Sequence, residues 1–189
     1  MKVSQTDCES GQIIVDTDID VKKVARIPEG GGWRARGRGC GSAPGAGRSC
    51  LHVAVDDFSR VAYAELLPDE RKGTCAAFMG RCLAFFAGLG VAVERVMTDN
   101  GPGYRSGDFN ALLSGRGVRH IYTRLFSPWQ NGKVERMNRT LAQEWQYGRA
   151  WESEAGRASA LPAYTSSTII GPVRTAPAGA CRPCRASPV

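Results

Sequence analysis

The chain has 189 residues, 42% of them hydrophobic, and a formal charge of +7. That is the length of one domain, long enough to bury a core without disulfide or metal staples. No run approaches the ~20 apolar residues of a membrane span, and the opening MKVSQTDCES lacks the apolar stretch of a secretory signal, so a cytoplasmic protein with no membrane partner is expected.

The charge is uneven. Residues 1–20 carry −4, residues 21–50 carry +6, residues 51–135 carry +1 and residues 136–189 carry +4. A basic block directly after an acidic one suits either a solvated loop or contact with a polyanion, from whose phosphates Lys and Arg release counterions. The seven cysteines are odd in number and irregularly spaced, and a cytosol would keep them reduced. Cys181 and Cys184 form one CxxC with no second pair to complete a zinc site. Cys75 and Cys82, one heptad apart on an apolar face, read as core.

In chain order, IIVDTDIDV (13–21) alternates apolar and acidic residues as a strand does, with Asp16, Asp18 and Asp20 on one face. Residues 28–50, rich in Gly, Arg and Ser, are expected to form a long mobile loop. LHVAVDD (51–57) and VAYAELL (61–67) read as a hairpin turned by Phe58-Ser59-Arg60, with Asp57 and Arg60 closing the turn. From Lys72 to Leu89 the apolar spacing is that of an amphipathic helix, stopped by Gly88 and Gly90. A strand over 91–98 ends on Asp99-Asn100-Gly101. A short helix follows over 106–113, with Ser106 as its N-cap, and then a strand over 119–123. The loop SPWQNG leads into a strong helix over 133–147, and 151–162 has room for one more. The order β, loop, β-hairpin, α, β, α, β, α predicts one α/β domain, a mixed sheet with helices on its faces. The expected organisation is an extension over 1–11, a core over 12–160 and a poorly ordered tail over 161–189.

Three acids stand out by placement. Asp20 lies near the end of the first strand, and Asp99 at the carboxyl end of a later one, the edge where open α/β sheets bind ligands. Glu135 lies in the first turn of the last strong helix. Its apolar stripe is Val134, Met137, Leu141 and Trp145, which puts Glu135 about 100° off the stripe and beside Arg139. Converging, the three would make a hard oxygen site suited to Mg²⁺ or Mn²⁺. Each also has an ordinary reading. An Asp before Asn-Gly is a turn residue, a Glu in a first helical turn favours the helix dipole, and Asp20 is not distinguished from Asp16 or Asp18.

Four stretches taken together, VDTDIDVKKVARIPEGGGWR, LHVAVDDFSRVAYAELLPDE, ERVMTDNGPGYRS and SPWQNGKVERMNRTLAQEW, resemble the catalytic core of DDE transposases and retroviral-type integrases, most nearly that of bacterial insertion-sequence transposases. Thirty-five residues separate Asp99 from Glu135, the family's D-(35)-E spacing, and the resemblance runs over roughly residues 12–160. It implies a ribonuclease H-like fold. It also implies that Asp20, Asp99 and Glu135 are both catalytic and metal-binding, holding two Mg²⁺ or Mn²⁺ ions. The activity implied is nicking of transposon ends and joining of the 3′-OH to target DNA by a homo-oligomer on DNA, in a bacterial cell a cytoplasmic, nucleoid-associated protein. Gln130 and Asn131 match positions near the DNA. Lys133, Arg136 and Arg139 radiate from the start of the catalytic helix towards phosphates. Lys22 and Lys23, with Arg34, Arg36 and Arg38, are placed to grip the backbone without reading sequence.

The chain departs from the family twice. The 19 residues before Asp20 are too few for the usual helix-turn-helix region. After Tyr164 the family's Tyr-Asn-x-x-Arg-Pro-His-type segment is replaced by TSSTIIGPVRTAPAG, as a change of reading frame would produce. A truncated, catalytically inactive remnant that at most binds DNA is therefore the competing expectation. A ribonuclease H-like nuclease, which shares the carboxylates but not NGKVER, is a third.

Overall fold

A computed structural model describes residues 13–37, 47–57, 59–124 and 131–169. Five strands form one mixed sheet: β1 (Ile13–Ala25), β2 (Arg48–Asp56), β3 (Ala62–Leu67), β4 (Val91–Thr98) and β5 (Arg119–Tyr122), in the order β3-β2-β1-β4-β5. The pairs β1–β2 and β2–β3 are antiparallel, whereas β1–β4 and β4–β5 are parallel. The helices are α1 (Trp33–Arg36), α2 (Lys72–Gly88), α3 (Gly107–Gly115), α4 (Gly132–Leu141) and α5 (Glu154–Ile169), with a π-helical turn, Ala142–Gln146, directly after α4.

The residues of β2 sort the two faces. Every residue from Ser49 to Asp56 is buried, because helices cover the sheet on both sides. Ala54 joins the cluster built by Cys75, Phe78, Met79, Cys82 and Phe86 of α2 with Phe109 and Leu113 of α3. Leu51, Val53 and Val55 join the other, with Val134, Leu141, Trp145, Trp151 and Leu161. This period-two alternation fixes the register, since a one-residue slip would exchange the faces. Helix α2 ends where Leu89 and Gly90 donate back to Phe85 and Ala87, with Gly90 at φ 74°. The Ser106 side chain caps α3 by accepting from Phe109 N–H at 3.3 Å.

Five local expectations are corrected. First, β1 runs on to Ala25, but its pairing with β4 stops at Asp18, so Asp20 stands mid-strand at the point where β1 loses that neighbour. Second, the stretch from 28 is no free loop at its start. Gly30 and Gly31 take φ of 79° and 89°, and a Cβ on Gly31 would lie 2.5 Å from Ala35 Cβ and 3.1 Å from the Trp151 carbonyl oxygen. Glycine lets the connection pass this closely, and α1 and the start of β2 at Arg48 shorten the loop further.

Third, α4 gives way to the π turn at Ala142 instead of running regularly to Tyr147. Fourth, the chain expected to be disordered from 161 is helical through Ile169, despite Pro162. Ser153 Oγ caps α5 by accepting from Gly156 N–H at 3.1 Å. Arg157, 2% exposed, donates to the Ala25 carbonyl at 2.9 Å and to Glu154 at 2.7 Å, and Glu154 Oε1 accepts from Ser49 Oγ at 2.7 Å. Packing and these bonds outweigh weak helix propensity. The turn after β2 also differs: Asp56, not Asp57, closes it, by accepting from the Ser59 N–H and hydroxyl.

His52, buried against Phe78 with ring centroids 5.2 Å apart, and half-buried His120 are the only histidines. Burial holds both below the ordinary imidazole value of 6.5. The unfolded chain therefore binds protons near pH 6.5 that the folded chain takes up only at lower pH, and stability falls as the pH drops from about 6.5 through the folded values. The denaturant midpoint is expected to be level above about pH 7 and lower at pH 5.5, with a shallower fall in a His52→Gln chain. An identical fall in that variant would contradict the assignment to His52.

Candidate active site

Asp20, Asp99 and Glu135 come from three elements that meet at one edge of the sheet. Parallel strands β1 and β4 deliver Asp20 and Asp99 side by side, Asp99 immediately following Thr98, the last residue of β4. Helix α4 lies across β1 and β2, and its buried Val134, Asn138 and Leu141 turn Glu135 and Arg139 towards the rim. Asp20 and Glu135 line the same open cleft of about 780 Å³, together with Lys22, Lys23, Asn138 and Arg139.

The electrostatics bind the three acids together. Burial pushes the Asp20 carboxyl above the usual carboxylate range, and the negative charges of Asp99 and Glu135 push the same way. Bonds from Val21 N–H and Asn138 pull it back in part. Asn138 Nδ2 donates to Asp20 Oδ2 at 2.7 Å, and Asp99 Oδ1 accepts from Gly101 N–H at 2.8 Å. Hence one carboxylate is held by α4 and the other by its own turn. The acids share a field, yet among the described residues no group of three or more His, Cys, Asp or Glu side chains is drawn in to metal-holding distances. Asp20 and Glu135 line the cleft, whereas Asp99 is outside its lining and reaches the site through its charge on Asp20; three carboxylates so placed are a donor set of the hard-oxygen kind that Mg²⁺ and Mn²⁺ take.

Of the alternatives for the first acid, Asp16 forms a two-pronged pair with Arg95 at 2.6 Å and Asp18 is 2% exposed. The Asp20 carboxyl feels the charges of both other acids. A polar chain supports the Asp99 turn from below. His120 Nδ1 lies 2.7 Å from Asn110 Oδ1 and its Nε2 lies 2.9 Å from Thr98 Oγ1, while Asn100 Nδ2 donates to the Thr123 carbonyl at 2.9 Å.

The expected DNA-contacting residues divide. Lys22 and Arg139 face the cleft. Lys23 does too, but is paired with Glu70 at 2.6 Å. Arg136 is exposed and outside the cleft lining. Two are corrected. Asn131 is 8% exposed and turns inward, donating to the Ile19 carbonyl at 3.4 Å. Lys133 is engaged by the Asp57 carboxylate and carbonyl, bracing α4 against the β2–β3 turn. Gln130 and Arg38 lie outside the described residues. Arg34 and Arg36 lie on α1. Sequence reading passed over Asn138, although it stands three residues after Glu135 on the same helix face, a spacing that could have found it.

A family profile described as "Integrase core domain" matches residues 19–128, and a second profile of the same description matches residues 116–166. The chain is 33% identical over 91 residues to the Gag-Pro-Pol polyprotein of Simian retrovirus SRV-2, a match taking in 48% of this chain and 5% of the polyprotein. The corresponding polyprotein of Mason-Pfizer monkey virus matches at 32% over 91 residues, again 5% of its length. The chain thus spans about a twentieth of these relatives. Among solved structures, a chain of the simian T-cell lymphotropic virus intasome, in complex with PP2A regulatory subunit B56 gamma, superposes with a TM-score of 0.59 at 20% identity, over 92% of this chain and 60% of that one. The HTLV-2 integrase catalytic core domain in complex with magnesium gives 0.48 at 21%, over 69% of each chain. The mixed five-stranded sheet flanked by helices is the ribonuclease H-like fold of integrase catalytic cores.

Proposed function

Since the chain belongs to the integrase core domain family, we propose that it nicks DNA ends and joins the freed 3′-OH to target DNA, through Asp20, Asp99 and Glu135. The observation that carries this reading is that Asp20 and Glu135 line one cleft and Asn138, on the helix that bears Glu135, donates to the Asp20 carboxylate at 2.7 Å, with the charges of Asp99 and Glu135 both acting on Asp20. Three anions set into one edge repel one another, and a divalent cation relieves that repulsion.

A pair of Mg²⁺ or Mn²⁺ ions held by these carboxylates would polarise the scissile phosphate and lower the pKa of the attacking hydroxyl. The chain's own groups do the positioning. Asn138 fixes the Asp20 carboxylate, the Gly101 N–H fixes that of Asp99, and the packed face of α4 sets the direction of Glu135. Lys22 and Arg139, on the cleft wall, hold the phosphates either side of the reacting one. The displacement is in line. The oxygen of water, or later of a 3′-OH, bonds to phosphorus as the 3′ oxygen leaves, and no covalent enzyme intermediate is required. Joining both ends of one element to one target needs two copies of the site, so the active form is a homo-oligomer on DNA.

The test is conversion of supercoiled plasmid to nicked circles, and joining of a 3′-OH oligonucleotide to that plasmid. Both should require Mn²⁺ or Mg²⁺ and stop with EDTA. Plasmid binding without either reaction would instead favour the inactive-remnant reading. Asn138→Ala is expected to slow nicking about 10- to 100-fold, the usual effect of removing a partner of a metal-binding carboxylate, and to shift the Mn²⁺ dependence of the rate to higher concentration. An unchanged Mn²⁺ dependence would remove Asn138 from this role.

A further inference from the structure

Tyr147 follows the π turn and is 54% exposed. A single exposed aromatic needs no explanation by itself; its location and neighbours single this one out. It lines the same cleft as Asp20 and Glu135, and the Arg34 guanidinium lies over its ring, 5.4 Å from the centroid. Arg34 also donates to the Tyr147 carbonyl. That cation is delivered by packing: a Cβ on Gly31, just before α1, would meet Ala35 at 2.5 Å and the Trp151 carbonyl oxygen at 3.1 Å. The other large apolar residues most exposed among those described, Leu89 and Tyr122, lie elsewhere, one at the end of α2 and the other with its hydroxyl bonded to the Tyr104 carbonyl at 3.4 Å.

We propose that Tyr147, backed by Arg34, is a stacking platform for the base of an unpaired nucleotide at the DNA end held in this cleft. The inference rests on the DNA-processing reading above and adds a specific contact to it. Lys22 and Arg139 bring positive charge to the cleft wall, and Tyr147 is the one aromatic side chain among the lining residues. The phenol ring supplies a flat apolar face that any base can cover, and such stacking is indifferent to sequence. A guanidinium against the ring adds a cation–π contact and leaves part of the ring open. A base inside a duplex has both faces covered by its neighbours, whereas an unpaired base in an overhang is free to turn a face to the platform. Tyr147 lies twelve positions after Glu135. At a helical rise this is roughly 18 Å, or about five stacked base steps from the reacting phosphate.

The test uses the full 189-residue chain and two DNAs, a blunt duplex and the same duplex with a single-stranded overhang carrying 2-aminopurine at successive positions. Stacking quenches 2-aminopurine. Binding by the unaltered chain and by Tyr147→Phe is expected to quench the probe near the fifth nucleotide. Tyr147→Ala should leave it bright and bind the overhang DNA about tenfold more weakly, with blunt-duplex affinity unchanged. Equal quenching by Tyr147→Ala, or equal loss on both DNAs, would overturn the platform while leaving the DNA-processing reading standing. An unaltered chain that binds neither DNA would overturn both.

Discussion

Asp99→Asn and Glu135→Gln should each abolish plasmid nicking and strand joining, by about 10³-fold or more, while leaving plasmid affinity within about twofold. Each substitution keeps shape and removes one anionic ligand, and a divalent ion with its activated oxygen accounts for several kcal/mol of transition-state stabilisation. Affinity for DNA rests mainly on Lys and Arg contacts to phosphate, which neither change touches. Asp20→Asn should be equally inactive and, in addition, more resistant to denaturant at pH 7. The sign follows from the raised Asp20 carboxyl: its ionised form is disfavoured in the folded chain, so a neutral side chain that still accepts from Asn138 removes an unfavourable charge. An Asp20→Asn chain that is both inactive and less stable would show that the residue supports the fold and not a charged site.

The second large effect is on stability. Trp145, 0% exposed, is the largest fully buried side chain among the described residues. It fills the space between β2, α4 and α5, its indole N–H donates to the Arg157 carbonyl at 2.9 Å, and its own carbonyl accepts from Trp151 Nε1 at 2.9 Å. Trp145→Ala is expected to cost about 4 kcal/mol through the cavity left behind, lowering the thermal midpoint by roughly 10 °C for a chain of this length. Trp145→Phe, which keeps most of the packing but loses the bond to the Arg157 carbonyl, should cost about 1–2 kcal/mol. Differential scanning calorimetry of the three chains checks both. A loss under 1 kcal/mol for the alanine variant would mean that α5 is not seated on this tryptophan.

Much of this structure is legible in the residues, for reasons that differ by element. Helix α2 announces itself because its apolar residues recur at the helical period and its stop is glycine. The strands β2 and β4 show as short apolar runs ended by turn residues. The acids at 99 and 135 are visible through their settings, a turn after a strand and the first turn of a helix. What the sequence hides is whatever long-range packing decides. GGGWR reads as free loop, yet Gly31 lets the backbone lie against Ala35 and the Trp151 carbonyl. Residues 161–169 read as tail because periodicity fades there, whereas Leu161 packs with the distant Trp145 and Val53 and α5 continues to Ile169. Asn131 and Lys133 read as DNA contacts because they are polar and precede the catalytic turn. Their partners, the Ile19 carbonyl and Asp57, are more than 75 residues away in the chain, and no local pattern reveals such a pairing. Asp20 was separable from Asp16 only once Arg95 was seen to claim Asp16.

The central claim is that Asp20, Asp99 and Glu135 form one divalent-cation site, and Mn²⁺ binding tests it most directly. Electron paramagnetic resonance can count the Mn²⁺ taken up by the chain in the presence of a short DNA duplex, for the unaltered protein and for the Asp20→Asn, Asp99→Asn and Glu135→Gln variants. The account predicts saturable binding by the unaltered chain and a loss of at least tenfold in affinity in each of the three variants, with an Asp16→Asn control binding as the unaltered chain does. Mn²⁺ binding unaffected by all three substitutions, or none in the unaltered chain, would contradict it.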